Sequence, residues 1–195
     1  MRYSQRMDRP SQFAEATLPF AGSLLVAHPS LQDPNFRRSV VLLTAHSDEE
    51  GSLGVVVNRP MNQTLSEFDP TLSNTDLESV PLFYGGPVAN DKLILVAWKW
   101  TPEEGSFKLY FGIDDVKARS LLAENSGFEL RGFIGHSGWT EGQLDAEIEE
   151  GAWVTSPLMP EIDSVQGEEV WRMILRRDSP QMGLLADEPD NPSLN

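Results

Sequence analysis

No cysteine occurs anywhere in the 195 residues. That removes a disulfide framework, thiolate catalysis, Cys-ligated zinc and iron–sulfur clusters. Positive charge is scarce. Lys and Arg together number 15 against 30 Asp and Glu, and the formal net charge is −15. Such a balance disfavours polyanionic partners, because counterion release needs many well-placed cations. Long apolar runs are missing too, and no stretch reaches the roughly 18 residues that a membrane-crossing helix needs. The first 20 residues carry Arg2, Arg6 and Arg9 but no apolar core of a leader, so no secretory signal is expected. The expectation is a soluble, cytoplasmic protein. Its length suits one domain, and a hydrophobic fraction of 39% suffices for a core.

Strand signals fill the first half. Residues 23–28 form a short apolar run closed by Pro29, and 39–46 a longer one that is β-branched at its start. Turn chemistry at 47–51 separates it from 53–58, so the two runs read as a hairpin ended by Pro60. These runs are continuously apolar, which predicts a sheet covered on both faces or curled on itself. Residues 93–98, 106–112, 128–135 and 152–155 read as further strands. Thr64 and Glu67 fit a capping box before a short helix, and Thr140 and Gln143 fit another. Asp114 caps a helix with Val116, Ala118, Leu121 and Leu122 on one face and Gly127 beyond its end. A last helix spans 168–177, acidic at its start and basic at its end, with Val170, Trp171, Ile174 and Leu175 inward. Strands in blocks with few helices between them predict an α+β fold. The expected organisation is a flexible arm over 1–17, a single domain over 18–186 and a loose acidic tail over 187–195.

Several constellations invite chemistry. Gly135-His136-Ser137-Gly138-Trp139 sets a serine beside a histidine. A nucleophile elbow needs glycine two residues after the serine, where Trp139 stands, and a histidine later in the chain, where none follows. The pattern reads instead as a glycine-rich turn feeding a capped helix, with Trp139 packed behind it. His28, His46 and His136 lack metal-ligand spacing. Gly85-Gly86-Pro87 is either a backbone anion nest or a close approach of chain to chain. No P-loop or G-x-G-x-x-G occurs, and Gly132 to Gly135 only superficially matches an RNA-clamping G-x-x-G. Arg37-Arg38 and Asn58-Arg59 flank the hairpin. They would either receive a carboxylate or phosphate or pair internally with Asp33, Asp48 or Glu67. Trp98 and Trp100 share a strand face, where they either line a groove or serve as core or rim. From Gly132 to Trp171 there are nine acidic residues and no basic one, a solvated face or one suited to a basic partner.

The segments 22–29, 33–43, 54–60, Tyr84 to Val88, Gly135 to Trp139 with Gly142 to Leu144, and Pro192 to Asn195 occur in the order seen in one family. Over roughly residues 18–195 the chain resembles the YqgE/AlgH family, bacterial proteins often labelled transcriptional regulators. The match is weaker in the N-terminal arm and over 99–106, and members often carry a His near Trp98. The resemblance implies an α+β fold whose bent, mostly antiparallel or mixed sheet closes into a partial barrel, with helices outside. It implies no established activity. The matching residues are Arg38, Asn58, Arg59, Gly85, Gly86, Pro87, Ser137, Gly138 and Trp139.

Three functions compete. The first is a non-enzymatic regulatory or housekeeping factor that binds a protein or small ligand. The second is an uncharacterised enzyme or anion-binding protein that uses Arg38, Arg59, the Gly85-Gly86 turn and His136 in one cleft. The third is a DNA-binding regulator, which the charge and the lack of a basic recognition helix oppose. The candidate binding residues are Arg38, Asn58, Arg59, Gly85, Gly86, Pro87, His136, Ser137 and Trp139. No catalytic residue, metal or cofactor is assigned.

Overall fold

The computed structural model describes residues 19–47, 49–123 and 126–187. The expected arm therefore lies outside the described residues, as does the expected tail apart from Asp187, which closes the final helix. In chain order the elements are β1 (Ser23–Ala27), β2 (Val40–Ser47), β3 (Gly51–Val56), β4 (Pro60–Thr64), α1 (Leu65–Phe68), β5 (Pro81–Tyr84), β6 (Val88–Thr101), β7 (Ser106–Ile113), α2 (Asp115–Ala123), β8 (Glu129–Trp139), α3 (Gln143–Glu149), β9 (Trp153–Pro157), α4 (Glu168–Asp178) and α5 (Pro180–Ala186). The fold is α+β, with nine strands in one mixed sheet.

An antiparallel run β7–β6–β8–β3–β2–β1–β9 forms the body of the sheet. Beside it, β5 joins β8 in parallel and β4 lies outside β5. The sheet does not close into a barrel: among the described residues β9 pairs only with β1 and β7 only with β6. The expected hairpin is β2–β3, running from Val41 opposite Val56 to Ser47 opposite Gly51. Every residue of β1 is buried, as its unbroken apolar run requires. One reason is α4, whose Val170, Trp171, Ile174 and Leu175 are at most 2% exposed. Its Trp171 indole donates to the Ala27 carbonyl at 2.7 Å, tying helix to strand. A second core lies under α1 and α2 and gathers Leu65, Leu77, Leu82, Leu95, Leu121 and Leu130.

Charge is buried where the two halves of the sheet meet. The Arg131 guanidinium lies between the rings of Phe83 and Trp98, 4.5 and 4.7 Å from their centroids. It pairs with Asp163, which also accepts from the Trp98 indole at 3.0 Å. Burial pushes the guanidinium below its ordinary range, and the Asp163 carboxylate pulls it back up. The aromatic cluster Phe36, Trp139 and Trp153 is held similarly. Glu147 on α3 accepts from both indoles, at 2.9 Å from Trp139 and 2.7 Å from Trp153.

Several expectations need correction. Residues 135–139 are not a turn. They continue β8, because β3 presents Ser52, Leu53 and Gly54 opposite Trp139, Gly138 and Ser137. A local glycine signal was overridden by a long-range partner. Helix α3 begins at Gln143, with Gly142 at φ +67° before it. The Gln143 side chain still accepts from the Thr140 amide at 3.1 Å, as the capping box requires. Val116 is 71% exposed, so α2 packs through Ala118 and Leu121 instead. Helix α5 and strands β4 and β5 went unread, although Ser179-Pro180 is a helix-start signal and the Ser179 hydroxyl does accept from the Met182 amide.

The tightest backbone approach lies between Gly85-Gly86 and Gly135-His136. Tyr84 pairs with Ile134 in the parallel sense, and four residues later Val88 pairs with His136 in the antiparallel sense. Between them the chain passes directly against β8. The Gly85 amide donates to the Ile134 carbonyl at 2.8 Å, and the Gly85 carbonyl accepts from the Val56 amide at 2.8 Å. A Cβ at Gly85, Gly86 or Gly135 would fall closer than 3.0 Å to backbone atoms of the other segment. Close approach is thus the reason for these glycines.

Gly86→Ala should cost about 2–4 kcal/mol through overpacking and strain. Gly142→Ala meets nothing within 4 Å, so only its φ is strained and about 1 kcal/mol is expected. Urea melts of both variants check this, and equal costs would contradict the close-approach account. Trp139 is 5% exposed, so Trp139→Ala should cost about 3–5 kcal/mol and lower the melting midpoint by roughly 10 °C. A midpoint unchanged to within a degree would show the indole to be a surface platform.

Candidate functional site

The nine candidate residues fall into two groups. Arg38, Asn58 and Arg59 gather at the open end of the β2–β3 hairpin. Arg38 adopts φ +56°, donates to Glu168 at 2.7 Å and lies 5.7 Å over the Trp171 ring. Glu168, 130 residues away, is thus a partner that proximity in sequence does not offer. Asn58 is 3% exposed. Its Oδ1 accepts from the Val40 amide at 2.9 Å, and its Nδ2 donates to the Arg38 and Gly167 carbonyls at 3.0 and 3.2 Å. Arg59 donates to the Arg37 carbonyl at 3.2 Å and lies 5.9 Å over Tyr84. Partial burial lowers its pKa, against the pull of Tyr84, Asp33 and Glu168. These side chains bind the hairpin base to the N-terminus of α4.

The other group sits at the backbone crossing. The Gly85 amide is committed to Ile134, so Gly85-Gly86 forms a packed crossing and its Gly85 donor is spent. Pro87 follows on the exposed side. Ser137 is fully buried, and its hydroxyl donates to the Gly85 carbonyl at 3.2 Å, which braces the crossing. His136 and the edge of Trp139 line a cleft of about 730 Å³ with Thr44, His46, Ser52 and Thr140. Neither Arg38 nor Arg59 lines it. Leu53 and Val88 stand on its walls, 43% and 44% exposed.

Register explains the convergence. Ser52 sits opposite both His46 and Trp139, and Leu53 opposite Gly138, so the end of the hairpin delivers its residues to the end of β8. His46 Nδ1 lies 2.8 Å from the Ser52 hydroxyl. This pair links neighbouring strands, and Ser52 is only 4% exposed. The His136 ring makes no hydrogen bond among the described residues. His28 is bonded to Ser30 at 2.7 Å and does not line this cleft. Among the described residues no three His, Asp or Glu side chains converge as metal ligands.

A second cavity of about 580 Å³ adjoins the first, and the two share Ala21 and Thr44. Its walls are apolar: Phe20, Trp100, Phe107, Leu109, Phe111 and Leu158. Trp98 and Trp100 thus divide, one in the core at 1% exposure and one at this rim, its ring tilted against Phe107 at 5.0 Å. Of this groove, sequence reasoning offered Trp100 and missed Phe107, Leu109 and Phe111. The alternation Phe107, Leu109, Phe111 was the available signal, but nothing local shows what the alternating face meets.

A family model described as AlgH-like matches residues 24–183. A UPF0301 protein of Streptomyces avermitilis is 40% identical over 187 residues, covering 89% of this chain and 94% of that protein. Another, of Chlorobium luteolum, is 35% identical over 184 residues, covering 90% and 94%. Among solved structures, a crystal structure of a protein from Corynebacterium diphtheriae superposes with a TM-score of 0.69 at 26% identity, covering 89% of this chain and 95% of that one. The solution structure of the AlgH protein from Pseudomonas aeruginosa gives 0.61 at 25% identity, covering 96% and 100%. The family model spans most of the crossing and the cleft together, and the chain belongs to the AlgH-like family.

Proposed function

We propose that this chain is a non-enzymatic cytoplasmic protein that binds a polypeptide segment of another protein along the joined cavities. The observation that carries the reading is the character of their lining. Phe20, Leu53, Val88 and Phe111 are each at least 36% exposed there, and among the described residues one carboxylate (Glu50) joins them and no Lys or Arg does. An apolar groove with few polar groups is suited to side chains of a partner, not to a small anion. Charge supports a basic partner, since the chain carries −15 and the 132–171 stretch holds nine acids and no base.

The reading against catalysis has its own support. Arg38 and Arg59 are engaged away from the cleft. The hydroxyl–imidazole pair in the cleft joins two strands, with its serine turned from solvent. Ser137 braces the backbone. Direct DNA binding is no part of the reading, because a net charge of −15 opposes the phosphate contacts that it needs.

The double variant Leu53→Asp/Val88→Asp should fold normally, since both side chains are exposed and such changes stay within about 0.5 kcal/mol. It should lose a partner that the wild type cross-links at groove residues in native lysate, located by mass spectrometry. Equal cross-linking by wild type and variant would sink the groove as the binding surface. A gel-shift titration at physiological salt should show no specific complex with duplex DNA, and a sub-micromolar sequence-specific shift would revive the regulator reading.

A further inference from the structure

The apolar cavity lies at a particular place in the sheet. The antiparallel run begins at β7 and ends at β9, and among the described residues each of these strands has one neighbour. Residues from 106 to 111 form one wall of the cavity. The opposite wall is made by 20–22, which lead into β1, and by 157–158, which end β9. The curled sheet therefore brings its two ends to the same groove. It is the seam where the sheet fails to close.

The β7 side of the seam is ready for another strand. Among the described residues its backbone makes no hydrogen bond other than to β6. Phe107, Leu109 and Phe111 line the seam, whereas Lys108 and Tyr110 do not. Tyr110 is instead occupied by Lys117 at 5.0 Å and Phe128 at 5.3 Å. Gly112 at φ +65° and a register shift between Leu95 and Val96 end the straight stretch. The usable edge is thus 106–111, which at strand spacing is about 20 Å. Glu103 and Glu104 stand at one end of it, and Glu50 lines the adjoining cleft.

Resting on the groove reading above, we propose that the partner binds by β-strand addition. A segment of about six residues pairs with 106–111, turns alternate apolar side chains between Phe107, Leu109, Phe111 and the facing Phe20 and Leu158, and carries Lys or Arg at its ends. Main-chain hydrogen bonds supply the affinity, and the alternate pockets and the flanking carboxylates supply the selection.

The test is amide hydrogen exchange on the full chain with a defined probe, acetyl-Lys-Lys-Val-Thr-Leu-Thr-Val-Lys-Lys-amide. Two control peptides accompany it: one N-methylated at alternate residues, which removes strand donors but keeps charge, and one with Glu in place of every Lys. The probe should slow exchange over 106–111 at least about tenfold. Both controls should leave it unchanged, and Phe111→Asp should abolish the effect. The N-methylated peptide decides the matter even if a β7 substitution impairs folding. Slowing confined to the His46 and His136 cleft would overturn strand addition while leaving the groove reading intact. So would β7 amides already slow in the free chain, whether covered by residues 1–18 or by a second copy. A probe that slows no amide overturns strand addition as well. The groove reading is then judged separately by the Leu53→Asp/Val88→Asp cross-linking result.

Discussion

Two backbones meet at Gly85-Gly86 and Gly135-His136 without side chains between them, and the rest of the sheet is arranged around that contact. It lets one chain be a parallel neighbour of β8 at Ile134 and an antiparallel neighbour at His136. From the same point β8 continues to Trp139 along β3. Hydrogen bonds from Gly85 to Ile134, from Val56 to Gly85 and from Ser137 to Gly85 leave no freedom there. Any side chain at these glycines would push β5 off β8 and carry the cleft's own residues with it, because His136 belongs to the crossing and Val88 follows it directly. Construction and site therefore share their residues. That explains how motifs without catalytic geometry recur as the recognisable segments of this chain.

Electrostatics follows a related logic. A chain with twice as many acids as bases has few cations to spare. It places two of them largely out of solvent: Arg131 between two rings with Asp163, and Arg38 on Trp171 with Glu168. Buried guanidinium groups need both a counter-charge and hydrogen-bond acceptors. Each of these arginines has an acid or carbonyl in contact, and Arg131 has the Val57 carbonyl as well as Asp163. Arginines that stand out in an acidic sequence are thus consumed by the fold. What remains at the cleft is apolar and faintly acidic.

The division between legible and illegible features has a physical basis. Strands β1, β2 and β3 and helix α4 could be read because their signals are local: unbroken apolar runs, a turn of Ser47 to Gly51, an amphipathic face with matched terminal charges. The close-approach reading of Gly85-Gly86 was also available from the residues, as an alternative to an anion nest. The course of 135–139 was not, since Gly135 and Gly138 look like a turn until β3 supplies a partner. The Arg38–Glu168 pair spans 130 positions, which no spacing rule reaches. The groove escaped for the same reason. Phe20, Thr44, Phe107 and Leu158 lie far apart in the chain, and only the curl of the sheet makes them neighbours.

That curl sets what the surface can do. A closed barrel would satisfy every strand edge and bury Phe107, Leu109 and Phe111 against a neighbour. An open sheet of this curvature does neither, and it leaves an apolar strip beside amides that are unpaired among the described residues. Native proteins usually defend such an edge with charge, a bulge or brevity. Here Gly112 makes the bulge and Lys108 the charge, yet the bulge comes only after the straight stretch and Lys108 is drawn toward Glu104 at 3.5 Å. The defence is partial. It opposes indiscriminate pairing of long strands but does not cover the straight stretch 106–111, and on the strand-addition proposal that stretch is where a short segment would dock.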